Sequence, residues 1–157
     1  MKITKITIQK HKLSLEGCRK GGRGLTDLFP RVMKWCNNPR DKANYYFFEA
    51  IDRSPFLLGA IAIDIGPMAY GPFKQDNITF IEDIHNPNAN HNVISRLIKE
   101  VIKFSKSKKC RHIRGQIDYK DKITLQAMRE LGFAIVPIDD RKGRIRTNQY
   151  LVVKPLV

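Results

Sequence analysis

The residues of this 157-residue chain best suited to chemistry gather in one stretch, Ile78 to Ser105, which reads ITFIEDIHNPNANHNVISRLIKEVIKFS. Two adjacent carboxylates, Glu82 and Asp83, end an apolar, β-rich run. Successive strand residues point to opposite faces, so one of the pair faces each side of the sheet. A carboxylate there can take a proton or hold a neighbouring arginine, and both roles are open to Glu82. His85 and His91 flank the following loop beside Asp83. They lie six residues apart, without the helical i, i+4 spacing or cysteine partner that would suggest a metal site. They read as polar loop residues, and no metal is expected. Pro87 and four asparagines break the strand, and Asn90 or Asn92 can cap the next helix. From Val93 the apolar positions Ile94, Leu97, Ile98, Val101 and Ile102, with Ser105, fall at helical spacing on one face. A strand feeding a helix through such a loop aims several free backbone amides at one spot, a site for an anion and most often a phosphate.

The elements that must position this stretch can be read from periodicity. Lys2 to Gln9 alternates polar and apolar residues, as an edge strand does. Glycines among basic residues make 16–24 a loop, and a helix is expected from Leu25 to Cys36, where Trp35 is a core or flap aromatic. Tyr45 to Ile51 and Leu57 to Ile65 read as a hairpin turning at Arg53-Ser54-Pro55. Gly66 to Asn77 is a loop long enough to cover a site. After the central strand, loop and helix come a strand at Ile113 to Ile117 and a helix from Asp121 to Leu131. Gly132 is that helix's left-handed stop. Strands at Phe133 to Ile138 and Thr147 to Lys154 close the chain. The order predicts a single α/β domain over 1–157, with a mixed sheet and helices on both faces. A crossover through the helix makes the central strand and its successor parallel.

Composition narrows the class. No stretch reaches the roughly 18 apolar residues of a membrane span, and the N-terminus lacks a signal-like apolar run. Cys18, Cys36 and Cys110 are an odd, dispersed set, which argues for reduced thiols in a cytoplasmic protein, with Cys110 a small core residue. Twenty-nine Lys and Arg against fifteen Asp and Glu leave a formal charge of +14. Such a charge attracts polyanions over a distance set by salt. It clusters at Arg19–Arg23, Lys106–Arg114 and Arg141–Arg146. No Ser–His–Asp set and no GxxxxGK loop is present.

In this element order the chain resembles the GNAT N-acetyltransferase superfamily, well from Tyr45 to Val153 and in outline before that. The resemblance rests on the strand–loop–helix, on the interval from Ile84 to Leu97-Ile98, and on Leu131-Gly132-Phe133, the sequence that closes the family's last helix. It implies a GNAT-like acyltransferase fold and an acyl-coenzyme A-dependent N-acyltransferase, moving acetyl to a primary amine of a small molecule or protein. By the same resemblance, acetyl-coenzyme A would rest its pyrophosphate on the amides of Asn90, His91, Asn92, Val93 and Ile94. Its pantetheine arm would follow Ile81, Asp83 and Ile84. Glu82 would act as base, because a protonated amine must lose a proton before it attacks a thioester. Tyr119 or water would serve the leaving thiolate, since Met128 stands where many members carry a tyrosine. Asp121 stands where an asparagine often begins the same helix. The family's phosphate signature falls on Ala89, Asn92 and Ile94. Asn92 tolerates unusual backbone angles, whereas a branched Ile94 would stand near the phosphates.

A different function class fits the same residues. A module of this fold lacking catalysis would bind nucleic acid or an acidic partner through the basic clusters. Ala89, Ile94 and Met128 point toward it, and Glu82 points toward the enzyme.

Overall fold

The computed structural model describes residues 6–12, 44–52, 57–67, 77–139 and 145–156. The expected helix from Leu25 to Cys36, Trp35, the turn at Arg53-Ser54-Pro55, most of the 66–77 loop, and the basic clusters at 19–23 and 141–144 lie outside them. The described elements are β1 (Thr7–Lys12), β2 (Asn44–Ile51), β3 (Leu57–Pro67), β4 (Asn77–His85), α1 (His91–Ser107), β5 (His112–Asp118), α2 (Lys122–Glu130), β6 (Ala134–Asp139) and β7 (Ile145–Pro155). They appear in the expected order, with most ends within one to three residues of the expected ones; β1, expected at Lys2 to Gln9, runs from Thr7 to Lys12.

The strands form one seven-stranded sheet in the order β1-β2-β3-β4-β5-β7-β6. β1 is an edge, as its polar alternation predicted. β4 and β5 pair in parallel and the other neighbours antiparallel. Pro137 falls in β6, the opposite edge, beside a register shift. Those are the places where a residue without an N–H is tolerated.

α1 forms because its apolar residues recur on one face, and that face is what it buries: Val93, Ile94, Leu97, Ile98, Val101 and Ser105. Its five aliphatic residues join one cluster with Ile61, Ile63, Ile65, Ile81, Ile113 and Val152 of the sheet and with Leu125, Ala127 and Met128 of α2. Each large aliphatic so buried contributes about 1.5–3 kcal/mol. Both described helices therefore lie on the same face of the sheet. Gly59 lets α1 come close, since a Cβ there would stand 3.0 Å from Val93 Cγ1 and 3.0 Å from the His85 carbonyl.

Both helices end in a left-handed residue followed by an amide that bonds back five residues. Gly132 has φ +90°, and Phe133 N donates to Met128 O at 2.9 Å. Lys109 has φ +57°, and Cys110 N donates to Ser105 O at 3.0 Å. Glycine takes that conformation without cost, while a lysine is strained by roughly 1–2 kcal/mol. Beneath the second turn lies a buried polar trio. Thr79 Oγ1 is 2.7 Å from Ser105 Oγ and donates to Cys110 Sγ at 3.4 Å, tying β4 to both sides of the turn that follows α1. Burial pushes the Cys110 thiol up, against the Thr79 bond and the Lys108 charge. That is the small core residue the sequence predicts.

Candidate active site at the parting of two strands

β4 and β5 pair over three residues, Thr79 with Ile113, Phe80 with Arg114 and Ile81 with Gly115. Beyond that they separate. Each remains bound on its other side, β4 to β3 through His85 and β5 to β7 through Asp118. The parting arises from a bulge. Ile63 faces Ile81 while Ala62 faces Asp83, so Glu82 is the additional residue on β4. An extra residue bends its strand and raises the local twist. Gly115 suits the last paired position, because a Cβ there would stand 3.0 Å from Ile81 Cβ and 3.4 Å from Val152 Cγ2.

Two adjoining clefts open where the strands diverge. The larger, about 430 Å³, is lined by Phe80, Ile81, Glu82, Arg114, Gly115, Gln116, Gln149 and Leu151. The smaller, about 240 Å³, is shared by both strand ends and brings Glu82, Asp83, Asp118 and Asp121 into one place. Glu82 lines both. Several of these groups are already engaged: Asp83 Oδ1 accepts from Ile84 N at 2.9 Å, Asp118 Oδ1 from Lys120 N at 2.8 Å, and Asp121 Oδ1 from Thr124 N at 3.2 Å as the cap of α2. His85, at the end of β4, is held below its usual pKa mainly by burial, which outweighs the attraction of Asp83. The clefts can admit a cationic amine beside a carboxylate. The parted edges can accept an extended, amide-bearing arm. Among the described residues no group of three or more His, Cys, Asp or Glu could hold a metal ion.

The N-terminus of α1 fits a diphosphate poorly. Asn90 is the cap, its Oδ1 accepting from Val93 N at 3.1 Å. Asn86 Oδ1 accepts from Asn90 N at 3.1 Å, and Ala89 N donates to Asn86 O at 3.1 Å. Ala89 holds φ +46° with a side chain present. The first residue of α1 is joined to the last of α2, with His91 Nε2 and Glu130 Oε2 2.8 Å apart. The loop thus turns its amides on its own asparagines and keeps a carboxylate nearby.

Of the residues singled out by sequence, Ile81, Glu82, Asp83 and Ile84 meet on the cleft walls, and the bulge brings both carboxylates to the smaller cleft. Asn90, His91 and Asn92 stand at the α1 terminus. Val93 and Ile94 turn their side chains into the core, at 1% and 0% exposure. That corrects the expectation that Ile94 would stand near a phosphate: the helical period carries it toward the sheet. Tyr119 is 41% exposed and lines neither cleft. Met128 is fully buried. Arg114, Gln116, Asp118 and Gln149 are cleft residues that sequence reasoning missed. The alternation of Arg114, Gln116 and Asp118 with Ile113, Gly115 and Ile117 carried a signal for the first three. Gln149 reaches the site only through its pairing with Asp118.

No protein-family model and no curated protein matches the chain. Solved structures do. An N-acetyltransferase from Staphylococcus aureus Mu50 aligns with a TM-score of 0.63 at 12% identity, over 96% of this chain and 98% of that one. Arabidopsis thaliana NAA60, in complex with a bisubstrate analogue, aligns with a TM-score of 0.63 at 16% identity, over 95% and 98%. A GNAT family acetyltransferase from Elizabethkingia anophelis with acetyl-CoA bound aligns with a TM-score of 0.60 at 18% identity, over 96% and 98%.

Proposed function

We propose that this chain, which has the GNAT acetyltransferase fold, is an N-acyltransferase that moves an acyl group from a thioester to a primary amine. The observation that carries the reading is the parting of β4 from β5 at a bulge occupied by Glu82, which lines both clefts formed there. An acyl thioester supplies an activated carbonyl carbon, and transfer forms a C–N bond as the C–S bond breaks. Glu82 accepts the proton that the ammonium must lose, directly or through water, making the nitrogen lone pair available. Asp83, Asp118 and Asp121 make the smaller cleft favourable to a cation while Glu82 holds the proton. Phe80, Ile81 and Leu151 supply apolar wall in the larger one. Water reprotonates the thiolate, since Tyr119 lies outside both clefts. Fold alone does not fix function. The reading therefore rests on these groups, with support from the neighbours' crystallised acetyl-CoA and bisubstrate analogue.

The test is mass-spectrometric detection of acyl transfer from acetyl-coenzyme A and S-acetylpantetheine to a panel of amines and peptides. Glu82→Gln is expected to lower turnover at neutral pH by about 10²–10⁴ with donor affinity nearly unchanged. Absence of both transfer and donor binding in folded protein would remove the reading. Equal turnover in the variant would move the base elsewhere.

A second reading is favoured by the surface at the end of α1 and just beyond it, where Lys106, Lys108, Lys109 and Arg111 are all exposed. It is a polyanion-binding face, and it can coexist with the first.

A further inference from the structure

The nature of the acyl carrier is where the loop before α1 and the expected donor disagree. A loop that grips a diphosphate leaves its amides unpaired so that they converge on the phosphate oxygens, and it commonly uses glycine so that no Cβ intervenes. Here residues 86 to 94 contain no glycine. Of the five amides from Ala89 to Val93, three are already used: Ala89 by the Asn86 carbonyl, Asn90 by Asn86 Oδ1 and Val93 by Asn90 Oδ1. Asn86 Nδ2 returns a bond of 3.4 Å to Asn90 O, closing the loop on itself. The amides of His91 and Asn92 bond no other described residue. The carboxylate of Glu130 stands 2.8 Å from His91 Nε2, and its other oxygen accepts from Gln126 Nε2 at 3.2 Å. A diphosphate entering here would find two open amides, those of His91 and Asn92, would have to displace the helix cap to reach a third, and would meet a like charge. The parted edges of β4 and β5 make no such demand, because a pantetheine arm is neutral, extended and carries two amides.

We infer that, granting the acyltransferase reading, this protein recognises its donor through an acyl-pantetheine arm and leaves the nucleotide diphosphate of coenzyme A ungripped. Asn86, Asn90 and Glu130 are the residues that set this specificity. They touch no reacting atom and act by occupying, or repelling an anion from, the terminus of α1.

The test is calorimetric titration of the full chain with acetyl-coenzyme A, S-acetylpantetheine and adenosine 3′,5′-bisphosphate. Salt of about 0.3 M screens the general attraction of a +14 protein for any polyanion. The expected result is dissociation constants for the two thioesters within about threefold of each other, and no displacement of either by the bisphosphate. The double variant Asn86→Ala, Glu130→Gln, which frees the Asn90 amide and removes the carboxylate, is expected to shift preference toward acetyl-coenzyme A by about fivefold or more. A wild-type preference for acetyl-coenzyme A above about thirtyfold, or displacement by the bisphosphate, would overturn the inference and leave the acyltransferase reading standing. An unchanged preference in a folded double variant would overturn the assignment of these residues. If neither thioester binds, the acyltransferase reading falls and the inference with it.

Discussion

Adding one methyl group at Gly115 should disturb the hinge on which the candidate site depends. Gly115 is the last β5 residue paired with β4, opposite Ile81. In Gly115→Ala the new Cβ would stand 3.0 Å from Ile81 Cβ, 3.4 Å from Val152 Cγ2 and 3.5 Å from the Ile81 carbonyl. Carbon atoms rest about 3.5–4.0 Å apart, so the Ile81 contact must open by a few tenths of an ångström. Neither neighbour can yield easily, since Ile81 and Val152 belong to the core cluster and β5 is held on both sides. Overpacking of this kind costs about 1–3 kcal/mol. For a chain of this length about 2 kcal/mol corresponds to a fall in Tm of roughly 4–8 °C. Gly66→Ala is the matched control, because no described residue lies within 4 Å of its added Cβ. It is expected to be neutral or to gain up to about 1 kcal/mol from a less flexible unfolded chain. Urea denaturation of wild type and both variants, with m-values compared, measures the difference. Equal midpoints for Gly115→Ala and Gly66→Ala would show that the strands have slack at this point. Close packing at Gly115 would then play no part in where β4 and β5 separate.

Ile94→Gly should cost about 3–6 kcal/mol, combining a core cavity with glycine in a helix, because Ile94 is 0% exposed. A loss under about 1 kcal/mol would place that side chain at the surface. His85 and His112 both lie below their usual 6.5 chiefly through burial, with Arg114 and Arg111 adding to the effect at His112. The unfolded chain therefore binds more protons than the folded one. The stabilisation is fully present above 6.5 and is lost as pH falls through the lowered folded values. Melting between about pH 7.5 and 5 should show this fall, and His85→Gln with His112→Gln should flatten it. An identical slope in the double variant would refute the assignment. If the face after α1 binds duplex nucleic acid, Lys108→Glu with Lys109→Glu should reduce the slope of log affinity against log salt by about two. Lys122→Glu, exposed on α2, should change it much less.

The amino-acid sequence by itself determined the elements, because their signals are local. The 3.6-residue period of Val93 to Ser105 specifies which face of α1 is buried, and the structure buries that face. Gly132 after Leu131 specifies the end of α2 through its left-handed φ. The Pro87–Asn92 run separates strand from helix, and Asn90 proves to be the cap. Ile81, Glu82, Asp83 and Ile84 could be named as site residues through the resemblance to the GNAT superfamily, carried by the strand–loop–helix and by Leu131-Gly132-Phe133. Tertiary structure alone decided how those residues meet. The bulge at Glu82 depends on β4 pairing with β3, some twenty residues earlier. It turns an alternation that would separate Glu82 from Asp83 into a wall on which both lie. Gln149 enters through the pairing of β5 with β7, and the carboxylate of Glu130 reaches the start of α1 because the two helices pack side by side. The Ile94 expectation failed for a related reason. A signature read along the chain assigns a position to the loop, whereas the helix built from that position turns the side chain away from the loop and into the core.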